Sequence, residues 1–132
     1  MPGLAAGLTL VLLLYTAALP ALASGGGIKV VEDRWEIKFP GHVAFDLTAE
    51  ADQQVVEVRL FYRLAGSPIW AYAYPDFEPA RRVAASFNLK TGGADFLLPF
   101  TRLEYYYVIR DAQGNVYETP PTALEYTDTR FQ

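Results

Sequence analysis

From His42 onward the chain alternates apolar and polar residues with a period of two, segment after segment. Successive side chains of a strand point to opposite faces, so this period specifies strands with one buried face. In "HVAFDLTAE", Val43, Phe45 and Leu47 share one face, and Ala44, Asp46 and Thr48 share the other. "VVEVRLFYRL" sets Val56, Val58, Leu60, Tyr62 and Leu64 inward and Glu57, Arg59, Phe61 and Arg63 outward. "RRVAASFNLK" sends Val83, Ala85, Phe87 and Leu89 inward, with Ala84, Ser86, Asn88 and Lys90 outward. "RLEYYYVIR" does the same with Leu103, Tyr105, Tyr107 and Ile109, leaving Tyr106 outward beside Val108. "DRWEIKF" precedes these strands, and Ala123 to Tyr126 forms the last. No stretch after residue 28 keeps a helical period over three turns.

Turn chemistry separates the strands at short intervals. Pro40-Gly41 closes the first, Ala65-Gly66-Ser67-Pro68 the third, and Thr91-Gly92-Gly93 opens a longer connection. "DAQGN", Asp111 to Asn115, is a tight hairpin, since Gly and Asn accept the positive φ such turns need. Pro120-Pro121 breaks the last strand pair and guards that edge against further pairing. The expected fold is an all-β, Ig-like or fibronectin-III-like antiparallel β-sandwich of seven to eight strands. Tyr105, near the start of the penultimate strand, is the candidate for a tyrosine corner, in which the phenol hydroxyl ties the inter-sheet connection to the strand.

Ahead of the sandwich lies an uncharged stretch; the first charged side chain is Lys29. The apolar run from Leu4 to Ser24 approaches the ~20 residues that cross a bilayer as a helix. Pro20 interrupts it, and Ala21-Leu22-Ala23 has the small-x-small pattern of a signal peptidase site. Residues 1–23 therefore read as a signal peptide cleaved between Ala23 and Ser24. The alternative is an uncleaved membrane anchor, since "MPG" supplies no Lys or Arg to the leading region. Residues 24–27 form a Gly-rich spacer and 28–132 one domain, placed outside the cytoplasm under either reading. That length suffices for a core without staples. The absence of cysteine removes disulfides and thiol chemistry.

Fifteen acids against eleven Lys and Arg give a net charge of −4, with no basic footprint for nucleic acid. The basic residues are dispersed, so any membrane contact runs through the leader alone. His42 is the sole histidine and follows a turn. A hydrolytic triad would have to pair it with Ser24, Ser67 or Ser86, none in a nucleophile-elbow context. One histidine without cysteine also falls short of a zinc site. The acids Asp33, Asp46, Asp52, Asp76, Asp95, Asp111 and Asp128 are scattered over turns and outward faces, without the pairing that glycoside chemistry needs. "DAQGN" offers oxygens to calcium but lacks the alternating acids and distal Glu of a dedicated loop. The reading is of no enzyme, no cofactor, no metal site and no catalytic residue.

The aromatic segment "IWAYAYPDF" sets Trp70, Tyr72 and Tyr74 on one face with Ala71 and Ala73 between them. Such a row either fills the core or stands outward, to stack on sugar rings or anchor a protein partner. The need of a small unstapled domain for buried area favours rings turned inward.

Several segments together are similar to a known arrangement. "VRLFYRLAGSP", "AYAYPDFEP", "FNLKTGG", "LEYYYVIRDAQGN" and "LEYTDTRF" follow in that order over most of Val30 to Phe131. They resemble the N-terminal Ig-like domain of bacterial exported proteins that carry a peptidase-MA-like (gluzincin) zinc metallopeptidase domain. "LLPFTRLEYY" departs from that pattern, lacking a Pro-Gly turn before its strand. The resemblance implies a non-catalytic domain for spacing, docking or substrate presentation. It implies that Asp128 to Phe131 stands where the domain hands over to the enzyme. The His-Glu-x-x-His helix of such peptidases is not in this sequence, so no catalytic or metal-binding role carries over to any position here.

Three functional expectations result. The leading one is a non-catalytic extracytoplasmic module contacting a protein, either a metallopeptidase domain or a cell-surface assembly. The second is a carbohydrate- or cell-wall-binding domain that uses Trp70, Tyr72 and Tyr74. The third is the soluble part of a membrane complex held by the uncleaved leader.

Overall fold

The computed structural model describes residues 27–91 and 101–126. The leader, the Ala23–Ser24 junction, nearly all of the spacer and the stretch Asp128 to Phe131 lie outside the described residues. Among those described there is no helix, and seven antiparallel strands form one sheet. They are β1 (Lys29–Lys38), β2 (His42–Leu64), β3 (Ala71–Ala73), β4 (Ala80–Lys90), β5 (Thr101–Asp111), β6 (Val116–Glu118) and β7 (Thr122–Tyr126).

The organising element is β2, 23 residues long, which the alternation pattern had divided into two strands. Its first half, His42 to Glu50, runs between β1 and β4. Its second half, Val55 to Leu64, lies against β5 along its length, with β3 on its other side. Between them the β4 ladder jumps from Glu50 to Val55, and Asp52, Gln53 and Gln54 stand in solvent. The Gln54 carbonyl accepts from the Ala112 amide, 2.8 Å away, so the crossing is tied to the β5–β6 turn. The strand thereby changes partners without a loop.

Switching partners curls the sheet over on itself. Val43, Phe45, Leu47 and Ala49 of the first half are buried together with Val58 and Leu60 of the second. Leu103, Tyr105, Tyr107 and Ile109 of β5, Val83 and Ala85 of β4, and Leu124 and Tyr126 of β7 complete the core. Rings meet across the fold: Phe45 lies edge-on to Tyr105 at 5.0 Å, and Phe39 against Tyr126 at 5.3 Å. The Tyr126 hydroxyl also hydrogen-bonds Thr91 Oγ1 at 2.9 Å in a buried site. The inward residues expected for β4 and β5 occupy the core side, Phe87 and Leu89 only in part.

The expected inward set of β2 fails at two places: Leu64, at the strand's end, is 46% exposed, and at Val56 the phase itself is wrong. Val56 is 43% exposed, whereas Val55 is fully buried. Opposite the adjacent β5 residues Asp111 and Arg110 stand Val55 and Glu57, so Val56 is the extra residue of a bulge. Without that insertion Val55 and Val58 would face opposite ways. A similar insertion at Val31 separates Val30, opposite Ala49, from Glu32, opposite Thr48.

The hairpin after β5 follows its sequence closely. The Asp111 carboxylate accepts from the backbone amides of Gln113 and Asn115 and from Asn115 Nδ2, at 2.9 to 3.0 Å. Gly114 takes the left-handed conformation, φ +85°, which a side chain would strain. Burial alone would raise the Asp111 pKa, but the Asn115, Gln113 and Gly114 donors outweigh it and hold the carboxyl below its ordinary range. Both carboxylate oxygens serve the turn itself, which is what "DAQGN" encodes.

Candidate functional site

The two outer faces of the curled sheet differ in chemistry. Over the β1–β2–β4 half the outward positions are polar: Arg34 opposite Asp46, Ser86 opposite Asp46, and Glu50 in an ion pair with Arg82. Over the β3–β2–β5 half they are aromatic and cationic.

The register builds that second face. Phe61 of β2 stands opposite Tyr72 on one side and Tyr106 on the other, so one row of rings crosses three strands. Phe61 and Tyr106 stack at 4.9 Å with planes 8° apart, and Phe61 and Tyr72 tilt at 5.9 Å. Arg59 and Arg63, two residues before and after Phe61 on the same strand, flank this row because the pleat returns them to the same face. The Arg59 guanidinium lies 5.4 Å from the Tyr72 centroid and 5.2 Å from that of Tyr74. Arg63 lies 4.2 Å from the Trp70 ring, itself edge-on to Tyr106 at 4.9 Å. Rings and guanidinium groups so interleaved attract through the ring quadrupole.

The charges on this face are paired internally. Arg59 donates to Glu57 at 3.0 Å; Arg63 donates to Glu104, its cross-strand neighbour, at 3.2 Å and to the Ser67 carbonyl at 3.1 Å. Arg110 adds a 3.9 Å contact to Glu57. Burial raises the Tyr106 phenol above its ordinary pKa, the Glu118 charge adds to the shift and Arg63 opposes it. The phenol is therefore a neutral hydrogen-bonding group across the physiological range.

Trp70, Tyr72 and Tyr74 do share a face, but it is the outer one. Tyr72 and Tyr74 are each 57% exposed and Trp70 is half-buried, which corrects the expectation that these rings fill the core. The buried rings of the core come instead from β5, β7 and β2: Tyr105, Tyr107, Tyr126 and Phe45. The regular strand here is only Ala71–Ala73. Pro75 is buried beyond it, and Asp76 exchanges backbone bonds of 2.9 and 3.1 Å with Ser86, carrying the chain across to β4. The rings do not form a flat platform, since Tyr72 and Tyr74 stand at 88° to each other.

The sequence reading missed Arg59, Phe61, Arg63 and Tyr106 as members of this site. Their outward direction was legible; the pairing of Phe61 with Tyr106, forty-five positions away, was not.

Tyr105 is buried, and its hydroxyl donates to Asp33 Oδ1 on β1 at 2.9 Å. This tie joins β5 to the opposite side of the fold. The connection that a tyrosine corner would hold falls in residues 92–100, outside those described. Burial, with the charge and hydrogen bond of Asp33, drives the Tyr105 phenol far above its ordinary range. Burial also raises Asp33, against the lowering effect of the Tyr105 bond.

His42 opens β2 opposite Lys38 and Lys90, and Ser86 lies four pairs along the β2–β4 ladder. At about 3.3 Å per residue that separates them by ~13 Å, beyond proton-transfer reach. Among the described residues no three of His, Cys, Asp and Glu are placed to share a metal ion.

No family model matches the chain, and no curated protein matches it. Among solved structures it is similar to a carbohydrate-binding module family 56 β-1,3-glucan binding domain. The TM-score is 0.42 and the identity 11%, over 70% of this chain and 95% of that one. A likeness of that degree bears on neither the fold nor the function argued for this chain.

Proposed function

We propose that this chain is a non-catalytic, extracytoplasmic β-module that binds a protein partner through the outward face of β2, β3 and β5. The observation that carries the reading is the meeting of Arg59, Phe61, Arg63, Trp70, Tyr72, Tyr74 and Tyr106 on that one face. Trp, Tyr and Arg dominate the energetics of protein interfaces. Here the guanidinium groups are already paired and the rings already in contact, so docking orders few side chains and loses little rotamer entropy. The partner class includes a metallopeptidase domain, following the sequence resemblance, or a cell-surface assembly.

The same reading treats the fold as an Ig-like or fibronectin-III-like sandwich. Its support is the strand pairing, β1–β2–β4 for one layer and β3–β2–β5 with β6 and β7 for the other. Export rests on the leader at residues 1–23.

Photo-cross-linking in the producing cell tests the function. A benzophenone side chain at position 72 or 74 should give a discrete protein adduct, while one at Asn88, on the polar outer face, should not. Equal adducts at all three sites, or none at 72 and 74, overturns the assignment.

A carbohydrate ligand is the second reading, favoured by the exposure of Tyr72 and Tyr74. It is weakened by their perpendicular planes and by Arg59 lying near both rings. A saturable change in Trp70 fluorescence on titration with a soluble glycan, abolished by Tyr72→Ala, would move the assignment from protein to sugar.

A further inference from the structure

β1 is an edge strand. Among the described residues it pairs only with β2, so one row of its backbone amides and carbonyls faces no partner there. A bare edge is a template for strand addition unless its side chains forbid it. The side chains of β1 forbid most registers and favour one.

After the bulge at Val31 the strand alternates cleanly. Asp33, Trp35 and Ile37 stand opposite Leu47, Phe45 and Val43 and share the inner side. Glu32, Arg34, Glu36 and Lys38 share the outer side, so the charge runs minus, plus, minus, plus. Among the described residues no strand offers an opposite charge across the open edge, and these groups pair along the strand, Arg34 with Glu32 at 2.9 Å and Lys38 with Glu36 at 3.0 Å. All four are substantially exposed.

A stripe of that pattern is its own complement when reversed. We propose that β1 is a self-association edge, pairing antiparallel with β1 of a second copy about a two-fold axis through Trp35. Arg34 then faces Glu36 of the second copy and Glu32 faces Lys38, each twice by symmetry. Trp35, 40% exposed although on the inner side, meets its own counterpart at the axis. A one-residue slip sets inward residues against outward ones. A two-fold at Arg34 opposes Arg34 to itself and Glu32 to Glu36; one at Glu36 opposes Glu36 to itself and Arg34 to Lys38. A two-fold at Asp33 or at Ile37 also sets opposite charges face to face, but in two pairs rather than four, so the charges that guard this edge against other strands favour the axis at Trp35. The contact lies on the β1–β2–β4 half and leaves the aromatic face open, so the dimer presents two such faces. It stands independently of what that face binds.

The interface is a short strand pair with one tryptophan, at the small end of specific contacts, below about 1,200 Å². Association is therefore read by sedimentation velocity over a concentration series, with the full chain as the host processes it. The wild type should pass from monomer to dimer. Arg34→Glu with Lys38→Glu makes the stripe wholly acidic, and Glu32→Lys with Glu36→Lys makes it wholly basic. Each variant alone should weaken dimerisation at least about tenfold, and an equimolar mixture should restore it, because opposite stripes then face each other. A wild type that stays monomeric, association that persists in both variants, or a mixture that stays monomeric overturns the proposal. Should a charge variant fail to fold, Trp35→Cys decides. It introduces the sole thiol, which on oxidation should give a covalent dimer, and a thiol placed by Ser86→Cys should not. Equal cross-linking at both positions, or none at 35, refutes the two-fold.

Discussion

Replacing Arg59 by Met tests whether the aromatic face is held together by its cations. Met keeps an apolar stem of similar reach but removes the planar charge that lies 5.2 to 5.8 Å from the Tyr74, Tyr72 and Phe61 centroids. One guanidinium cannot be optimally placed over three rings, so two effective contacts of about 0.5–1 kcal/mol each are lost. The ion pair to Glu57 adds little, about 0–1 kcal/mol at this partial exposure, and Glu57 keeps Arg110 as a neighbour. The expected cost is ~1–2 kcal/mol, which in a domain of this size lowers Tm by roughly 5–15 °C. Thermal unfolding followed by circular dichroism measures it. High salt should leave most of the difference intact, because ring contacts are screened less than an exposed ion pair. A double-mutant cycle with Tyr74→Leu should return a coupling of about 0.5–1 kcal/mol. A fall in Tm below about 2 °C, or a difference that disappears in high salt, would refute the argument that the guanidinium orders the rings.

Other consequences of the geometry are as direct. Val55→Thr should cost about 1–3 kcal/mol by burying a hydroxyl, whereas Val56→Thr should stay within ~0.5 kcal/mol; the reverse order in chemical denaturation would refute the bulge phase. Thr119→Val removes the acceptor of the buried Tyr107 amide, 2.8 Å away, and should cost about 1–3 kcal/mol by urea unfolding. The carboxyls of Asp33 and Asp111 should give pH dependences of opposite sign. Asp33, raised by burial, contributes stability as pH falls through its folded value toward the unfolded value near ~4, so Asp33→Asn should exceed wild type most at neutral pH. Asp111, lowered by its turn donors, contributes above ~4 and loses that as pH falls through its folded value, so Asp111→Asn should be weakest at neutral pH; unfolding curves from acid to neutral check both.

The strands were legible because each carries its own period. Leu103, Tyr105, Tyr107 and Ile109 needed no knowledge of a partner to be assigned inward, and all are buried. The phase error at Val56 has the opposite origin. In "QQVVEV" strict alternation sets Val56 inward with Val58, and only the ladder, where Asp111 and Arg110 are adjacent while Val55 and Glu57 are not, inserts the extra residue that puts Val55 there instead. Likewise nothing local joins "HVAFDLTAE" to "VVEVRLFYRL" as one strand. The union depends on β4 releasing β2 at Glu50 just where β5 begins to hold it from Val55 onward.

The aromatic face was half legible for a related reason. Alternation fixed which way Phe61 and Tyr106 point, yet a strand of three residues, Ala71–Ala73, has too short a period to say which of its faces is buried. Area burial argued for Trp70, Tyr72 and Tyr74 inward, and that argument treats the core as open to any ring offered to it. Packing is instead competitive: interiors fill to near-crystalline density, and a ring that arrives at a filled core must stay outside. Tyr105, Tyr107 and Tyr126 hold that space on strands whose backbone pairing commits them to it, with two of their hydroxyls bonded to Asp33 and Thr91. The displaced rings then cluster on Phe61 and Tyr106 and draw Arg59 and Arg63 between them. The cluster recovers part of the lost burial, at about 0.5–1.5 kcal/mol for each ring pair beyond its area. It still leaves Tyr72 and Tyr74 more than half in water. Aromatic area that the described residues leave exposed is the physical reason for proposing a partner on that face.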